Sequence, residues 1–128
     1  MNTEVIFFIG RILLGGFLLY SAYSHFSNIK DLTAYTEMKK VPMPKVAVIV
    51  SGLLLLFGGY TIITGTRVVV GIAALTLFFI PVTFTMHAFW KEEGQVRSMD
   101  QVQFMKNLAL LGAILMLLAI PVPWPTLF

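Results

Sequence analysis

The chain has 128 residues, 58% of them apolar and 12% charged, against roughly 25% charged in an ordinary soluble domain. That balance excludes a water-soluble domain of this size, which would need polar faces alternating with buried ones. The formal charge is only +3 and its basic residues lie between apolar runs, which excludes a basic nucleic-acid-binding face; the absence of cysteine excludes disulfides, thiolate-held clusters and a dithiol relay.

A membrane-spanning helix needs about 20 mostly apolar residues. The first such run covers residues 5–26. It has no basic segment before it and no small-residue cleavage site after it, so it reads as a retained helix and not as a signal peptide. Arg11 interrupts it about two turns in. A charge at the bilayer centre costs at least ~2.5–3.5 kcal/mol, so Arg11 is expected to be a structural intramembrane charge that snorkels toward an interface. The competing role is a contact to an anion or a quinone carbonyl within the bundle. Gly10, Gly15 and Gly16 favour close approach of a second helix. His25 ends the run, fourteen residues from Arg11 and roughly on its face, with Tyr20, Ser21, Tyr23 and Ser24 nearby. Tyrosines there read as interfacial belt residues.

Residues 27–45 form the longest connector. Leu32, Tyr35 and Met38, three residues apart, predict a short amphipathic helix at the interface, starting near Ser27 or Asn28. Val41-Pro42-Met43-Pro44 breaks it. The second apolar run, 46–64, follows Pro44, a residue tolerated in a helix's first turn. Gly65-Thr66-Arg67 is a tight hairpin. The third run, 68–90, contains Pro81, which removes a backbone hydrogen bond and predicts a kink; Thr83 and Thr85 are placed to bond nearby carbonyls. Thr76, Thr83, His87 and Trp90 follow at spacings of seven, four and three, which makes one helical stripe that lipid alone does not call for. Residues 91–103 are polar, with a helix cap expected at Ser98 or Asp100 and Glu92 and Glu93 on a solvated face. The fourth run, 104–120, opens with Lys106 and Asn107 and stops at Pro121, Pro123 and Pro125. Lys106 suits a snorkelling anchor, whereas the Asn107 amide has no reason to face lipid.

The expected fold is therefore all-α: an integral membrane four-helix transmembrane bundle with a short interfacial helix after the first span, forming a single domain over 1–128. Seven basic residues (Lys30, Lys39, Lys40, Lys45, Lys91, Arg97 and Lys106) flank the first and third connectors, which the positive-inside rule places in the cytoplasm of a bacterial-type cytoplasmic membrane. In that topology His25 and His87 come to the same membrane face. Two histidines without a nearby carboxylate make a weak metal site, and no metal is expected. Bis-histidine haem ligation is the alternative to a quinone ligand. No Ser-His-Asp order, phosphate loop or paired-carboxylate motif is present.

The run Gly10-Arg11-Ile12-Leu13-Leu14-Gly15-Gly16-Phe17-Leu18-Leu19-Tyr20-Ser21 followed by His25 resembles the opening of DoxX-family membrane proteins. So do the Val41-Pro42-Met43-Pro44 turn leading to Ser51-Gly52-Leu53 and Phe57-Gly58-Gly59, the segment His87-Ala88-Phe89-Trp90, and the stretch from Phe104 to Gly112. The resemblance spans nearly the whole chain. It implies a four-helix membrane bundle. It also implies a link to membrane redox chemistry, since some relatives are associated with thiosulfate:quinone oxidoreduction and others with complexes that handle oxidative stress. The positions it carries over are Arg11, Tyr20, His25, His87, Trp90, Lys106 and Asn107.

Two functions compete. The first is an accessory subunit of membrane-linked redox chemistry, holding a quinone-like ligand near His25, His87, Trp90, Asn107, Tyr20 and Lys106 at the cytoplasmic end. The second is a non-enzymatic scaffold that docks partner helices and soluble proteins. A transporter ranks behind both, because no acidic residue lies inside a predicted span to couple ions. The expected partners are the lipid bilayer, membrane or soluble redox proteins, and further copies of the chain.

Overall fold

The computed structural model describes residues 2–126. The order is α1 (Thr3–Ser27), α2 (Ile29–Met38), α3 (Pro44–Thr64), α4 (Val68–Met86) and α5 (Gly94–Met116), with 3-10 turns at Phe89–Lys91 and Leu117–Ala119. There is no strand among the described residues. Four helical segments are long and apolar enough to cross a membrane: α1, α3, α4 extended through its 3-10 turn, and α5. Leu13 (70% exposed), Leu77 (62%) and Met116 (74%) sit on their outer faces. Large apolar side chains exposed along every span have their natural solvent in hydrocarbon. The chain is an integral, multi-pass membrane protein.

Local chemistry sets the helix limits. The Asn2 side chain accepts from the Val5 amide at 2.9 Å and caps α1. Asn28 alone separates α1 from α2; its backbone and side-chain amides both donate to the Ser24 carbonyl, at 3.1 and 3.0 Å. Pro44 opens α3. Gly65 closes it with φ +80°, a left-handed conformation suited to glycine, and donates to the Thr61 carbonyl at 2.8 Å. The hairpin to α4 follows directly.

Two boundaries differ from the sequence expectation. The third span's α-helix ends at Met86, not Trp90: the backbone turns at His87, and Phe89 and Trp90 fold back to pack edge-on against Phe104. The fourth begins at Gly94, ten residues before its apolar run, so neither Ser98 nor Asp100 is a cap. Its first turns are polar yet helical, because Asp100 has partners that hold it inside. Around Pro81, the Thr85 hydroxyl donates to the Pro81 carbonyl at 2.7 Å, whereas the buried Thr83 hydroxyl has no partner among the described residues.

Within the bundle α1 packs on α3, α3 on α4 and α4 on α5, with α2 folded back against α3. The α1–α3 seam is close because Gly15 and Gly59 face each other. A Cβ on Gly15 would collide with Ile63 and lie 3.1 Å from the Gly59 carbonyl oxygen. Gly10 and Gly16 face open space instead. Leu18, Leu55, Ile62, Ile72, Leu75 and Ile114 form the shared core, with Trp124 of the C-terminal segment sealing the hairpin end. The ring does not close evenly. Helices α1 and α5 make few close backbone approaches, and toward α2 a cavity separates them.

Candidate functional site

Arg11 lies at the hairpin end and is 3% exposed. Its Nε donates to the Ile62 carbonyl and its Nη2 to the Ile63 carbonyl, both at 2.8 Å. These carbonyls belong to the last turn of α3, where a helix leaves acceptors unpaired and carries partial negative charge. The guanidinium also lies over the rings of Phe7 (5.4 Å) and Trp124 (5.6 Å). A Cβ at Gly65 would approach Arg11 Nη2 to 2.7 Å. The charge is thus used up in holding α1, α3 and the C-terminal segment together, and it is remote from the histidines.

The opposite end holds a cavity of about 590 Å³, walled mainly by apolar side chains of all five helices. Of the six residues expected to hold a ligand, His25, His87, Lys106 and Asn107 line it. Tyr20 and Trp90 do not: Tyr20 is 69% exposed on the outer face of α1, and Trp90 stands in an aromatic cluster with Phe84, Phe89 and Phe104. Thr36 and Gln103 line the cavity as well.

His25 is fixed by its own helix, with Nδ1 2.8 Å from the Ser21 carbonyl oxygen, and packs edge-on against Phe78. His87 Nδ1 lies 3.4 Å from Asp100 Oδ1. The other carboxylate oxygen, Oδ2, accepts from Lys39 Nζ at 2.8 Å, and Lys39 also reaches Glu92 at 3.3 Å. The Lys39 and Asp100 side chains are only 8% and 6% exposed. Burial alone would push the Lys39 ammonium down. The hydrogen bonds it donates to Asp100 and Glu92 outweigh it, and its pKa stands above the ordinary 10.5. The expectation of histidines without a carboxylate nearby is corrected here for His87. The cluster ties the end of α2, the turn after α4 and the start of α5 into one unit.

Asp100 and Lys39 were hidden in connectors that look solvated. One signal exists: Asp100, Gln103 and Asn107 follow at spacings of three and four, in phase with the buried Leu111 and Ile114. A polar stripe continuing a core stripe lies inside the bundle, not on its surface.

Lys106 is exposed at the gap between α5 and α1, its Nζ 5.9 Å from the centre of the Phe17 ring. Asn107 is 8% exposed and makes no side-chain hydrogen bond among the described residues. Its amide atoms are not sealed off: they open onto the cavity the residue lines, where water or a ligand can reach them. Chemically the site offers a mainly apolar enclosure lined by two imidazoles, an ammonium and an unengaged amide from α1, α5 and the turn after α4. That suits an amphiphile with an oxygen-bearing head. No group of three His, Cys, Asp or Glu side chains placed to hold a metal ion occurs among the described residues.

A multi-pass helical membrane protein with a polar-ended intrabundle cavity is the class defined by fold and site. The DoxX family model matches residues 6–88, and the chain belongs to the DoxX family. No curated protein and no solved structure matches it.

Proposed function

We propose that this chain is an accessory subunit of membrane-linked redox chemistry that holds a quinone-like amphiphile in the cavity between α1 and α5. The observation that carries the reading is Asn107, whose side chain makes no hydrogen bond among the described residues and lines, with two histidines, a mainly apolar cavity. A quinone-type head would complete its hydrogen bonds, and an isoprenoid tail would leave toward lipid through the gap below Lys106. In this reading the α2 end faces the cytoplasm, where Lys30, Lys40, Lys45, Lys91 and Arg97 satisfy the positive-inside rule. With no cysteine of its own, the subunit would depend on a partner protein for any thiol chemistry.

The test is purification in mild detergent, followed by absorption spectroscopy and mass analysis of co-purifying small molecules. Titration with a short-chain benzoquinone in both redox forms completes it. The expected result is a bound quinone or hydroquinone, with affinity for the tighter-bound form reduced about tenfold in His87→Ala, the loss of one good polar contact. Absence of binding, together with no effect of His87→Ala, rejects the reading. A haem absorption band would replace it with the bis-histidine alternative. A reproducible crosslinked partner retained when both histidines are replaced would favour the scaffold.

A further inference from the structure

Both cavity histidines have one ring nitrogen already committed, and in each case it is Nδ1. At His25 the neighbour is the Ser21 carbonyl oxygen at 2.8 Å; at His87 it is Asp100 Oδ1 at 3.4 Å. A backbone carbonyl can only accept. An Asp100 carboxylate bonded to the Lys39 ammonium at 2.8 Å also accepts and does not donate. Each neutral imidazole must therefore carry its proton on Nδ1. The nitrogen left for a ligand, Nε2, is then a lone-pair acceptor on both rings. This arises twice by unrelated means, once from the helix's own backbone and once from a buried ion pair.

We propose that the cavity selects its amphiphile by hydroxyl donors, taking a hydroquinone or phenol head in preference to the corresponding quinone. The inference rests on the cavity reading above and adds the oxidation state of the occupant. A quinone carbonyl has no hydrogen to give a neutral Nε2, so both imidazoles are left unmatched. A hydroquinone donates one hydroxyl to each ring it reaches. The remaining polar lining, Asn107, Lys106, Gln103 and the serine and threonine hydroxyls, can donate to the oxygen of either form. Asp100 is a positioning residue in this scheme. It touches no ligand but orients His87, as a carboxylate behind an imidazole does in other polar sites. Lys39, itself bonded to Glu92, in turn holds Asp100 in place.

Two measurements test this. Nitrogen-15 NMR of histidine-labelled protein in detergent reads the tautomers without any ligand. Both rings are expected as Nδ1–H with unprotonated Nε2, and an Nε2–H form at either ring overturns the assignment. In parallel, a fully substituted decylbenzohydroquinone and its quinone are titrated into the wild type, His25→Gln and His87→Gln. The reduced probe is expected to bind about tenfold tighter than the oxidised one, the worth of one or two hydrogen bonds. A glutamine amide can donate as well as accept, so each variant should narrow that ratio while leaving the fold intact. Asp100→Asn, which can donate to Nδ1 and release the tautomer, should narrow it too. Equal binding of the two forms, or tighter binding of the quinone, overturns the inference alone. No binding of either form overturns the cavity reading and this inference with it.

Discussion

At the hairpin end the cation Arg11 is enclosed by two aromatic rings and by two carbonyls that accept from its Nε and Nη2. At the α2 end Lys39 is as well partnered by Asp100 and Glu92, yet His87, bonded to the same Asp100, opens onto a cavity, and Asn107, which lines that cavity too, has no hydrogen-bond partner among the described residues. Both ends place polar groups inside an apolar bundle. At one the polar groups close a helix terminus and a chain tail; at the other they stop short of saturation. A complete polar cluster serves packing, whereas an incomplete one at the edge of a cavity is where a ligand gains affinity.

The largest way to break this comparison is to remove Asp100. Asp100→Ala leaves the buried Lys39 ammonium without its closest partner, and loss of one member of a buried pair costs roughly 3–5 kcal/mol. A clear drop in the apparent melting temperature in detergent is expected, larger than for any single cavity-lining substitution. If Asp100→Ala melted with the wild type, the cluster would be a solvated surface pair. Arg11→Leu comes next. It leaves the Ile62 and Ile63 carbonyls unanswered and should destabilise by about 2–3 kcal/mol, the scale of hydrogen bonds made by a charged donor. Ligand affinity should be unchanged, which separates the two ends in one experiment. A selective loss of binding in Arg11→Leu would show that the ends are coupled.

Asn107→Leu sharpens the comparison with the opposite pattern. It replaces an amide without a hydrogen-bond partner among the described residues by an apolar side chain of similar size, so stability should hold to within about 1 kcal/mol. Binding of the probe should fall several-fold. Destabilisation without any change in binding would mean that the amide has a structural partner and not a ligand.

How much of this was legible in the sequence follows from what each feature depends on. The spans are properties of local composition, so the runs at 46–64 and 68–90 lie close to α3 and the third segment. The short helix α2 was equally local, since Leu32, Tyr35 and Met38 sit within one stretch of about two turns. Arg11 was visible as a costly charge, but its partners lie more than fifty residues away and depend on which helices touch. The Lys39–Asp100 pair was the least legible. Its members are sixty-one residues apart, each sits in a stretch that reads as a wet connector, and burial of either makes sense only with the other present. Trp90 was placed in a helical stripe that the turn at His87 dissolves. A stripe argument holds only while the helix continues.

The smallest expected effect concerns pH and tests the α2 end through Lys39 itself. Its pKa is raised above the ordinary 10.5 by Asp100 and Glu92 against the opposing pull of burial. A raised ammonium contributes stability that is fully present below the unfolded-state value and is lost as pH climbs through the higher folded-state value. The difference in melting temperature between wild type and Lys39→Met should therefore be the same at about pH 7 and about pH 9, both below that window, and shrink only beyond the ordinary lysine range. A difference already shrinking by about pH 9 would place the ammonium below 10.5. Burial would then outweigh the carboxylates, and the α2 end would be less completely paired on its charged side than the distances imply. A constant difference keeps the contrast where the geometry puts it: a saturated ion pair behind His87 and an unsaturated amide in front of it.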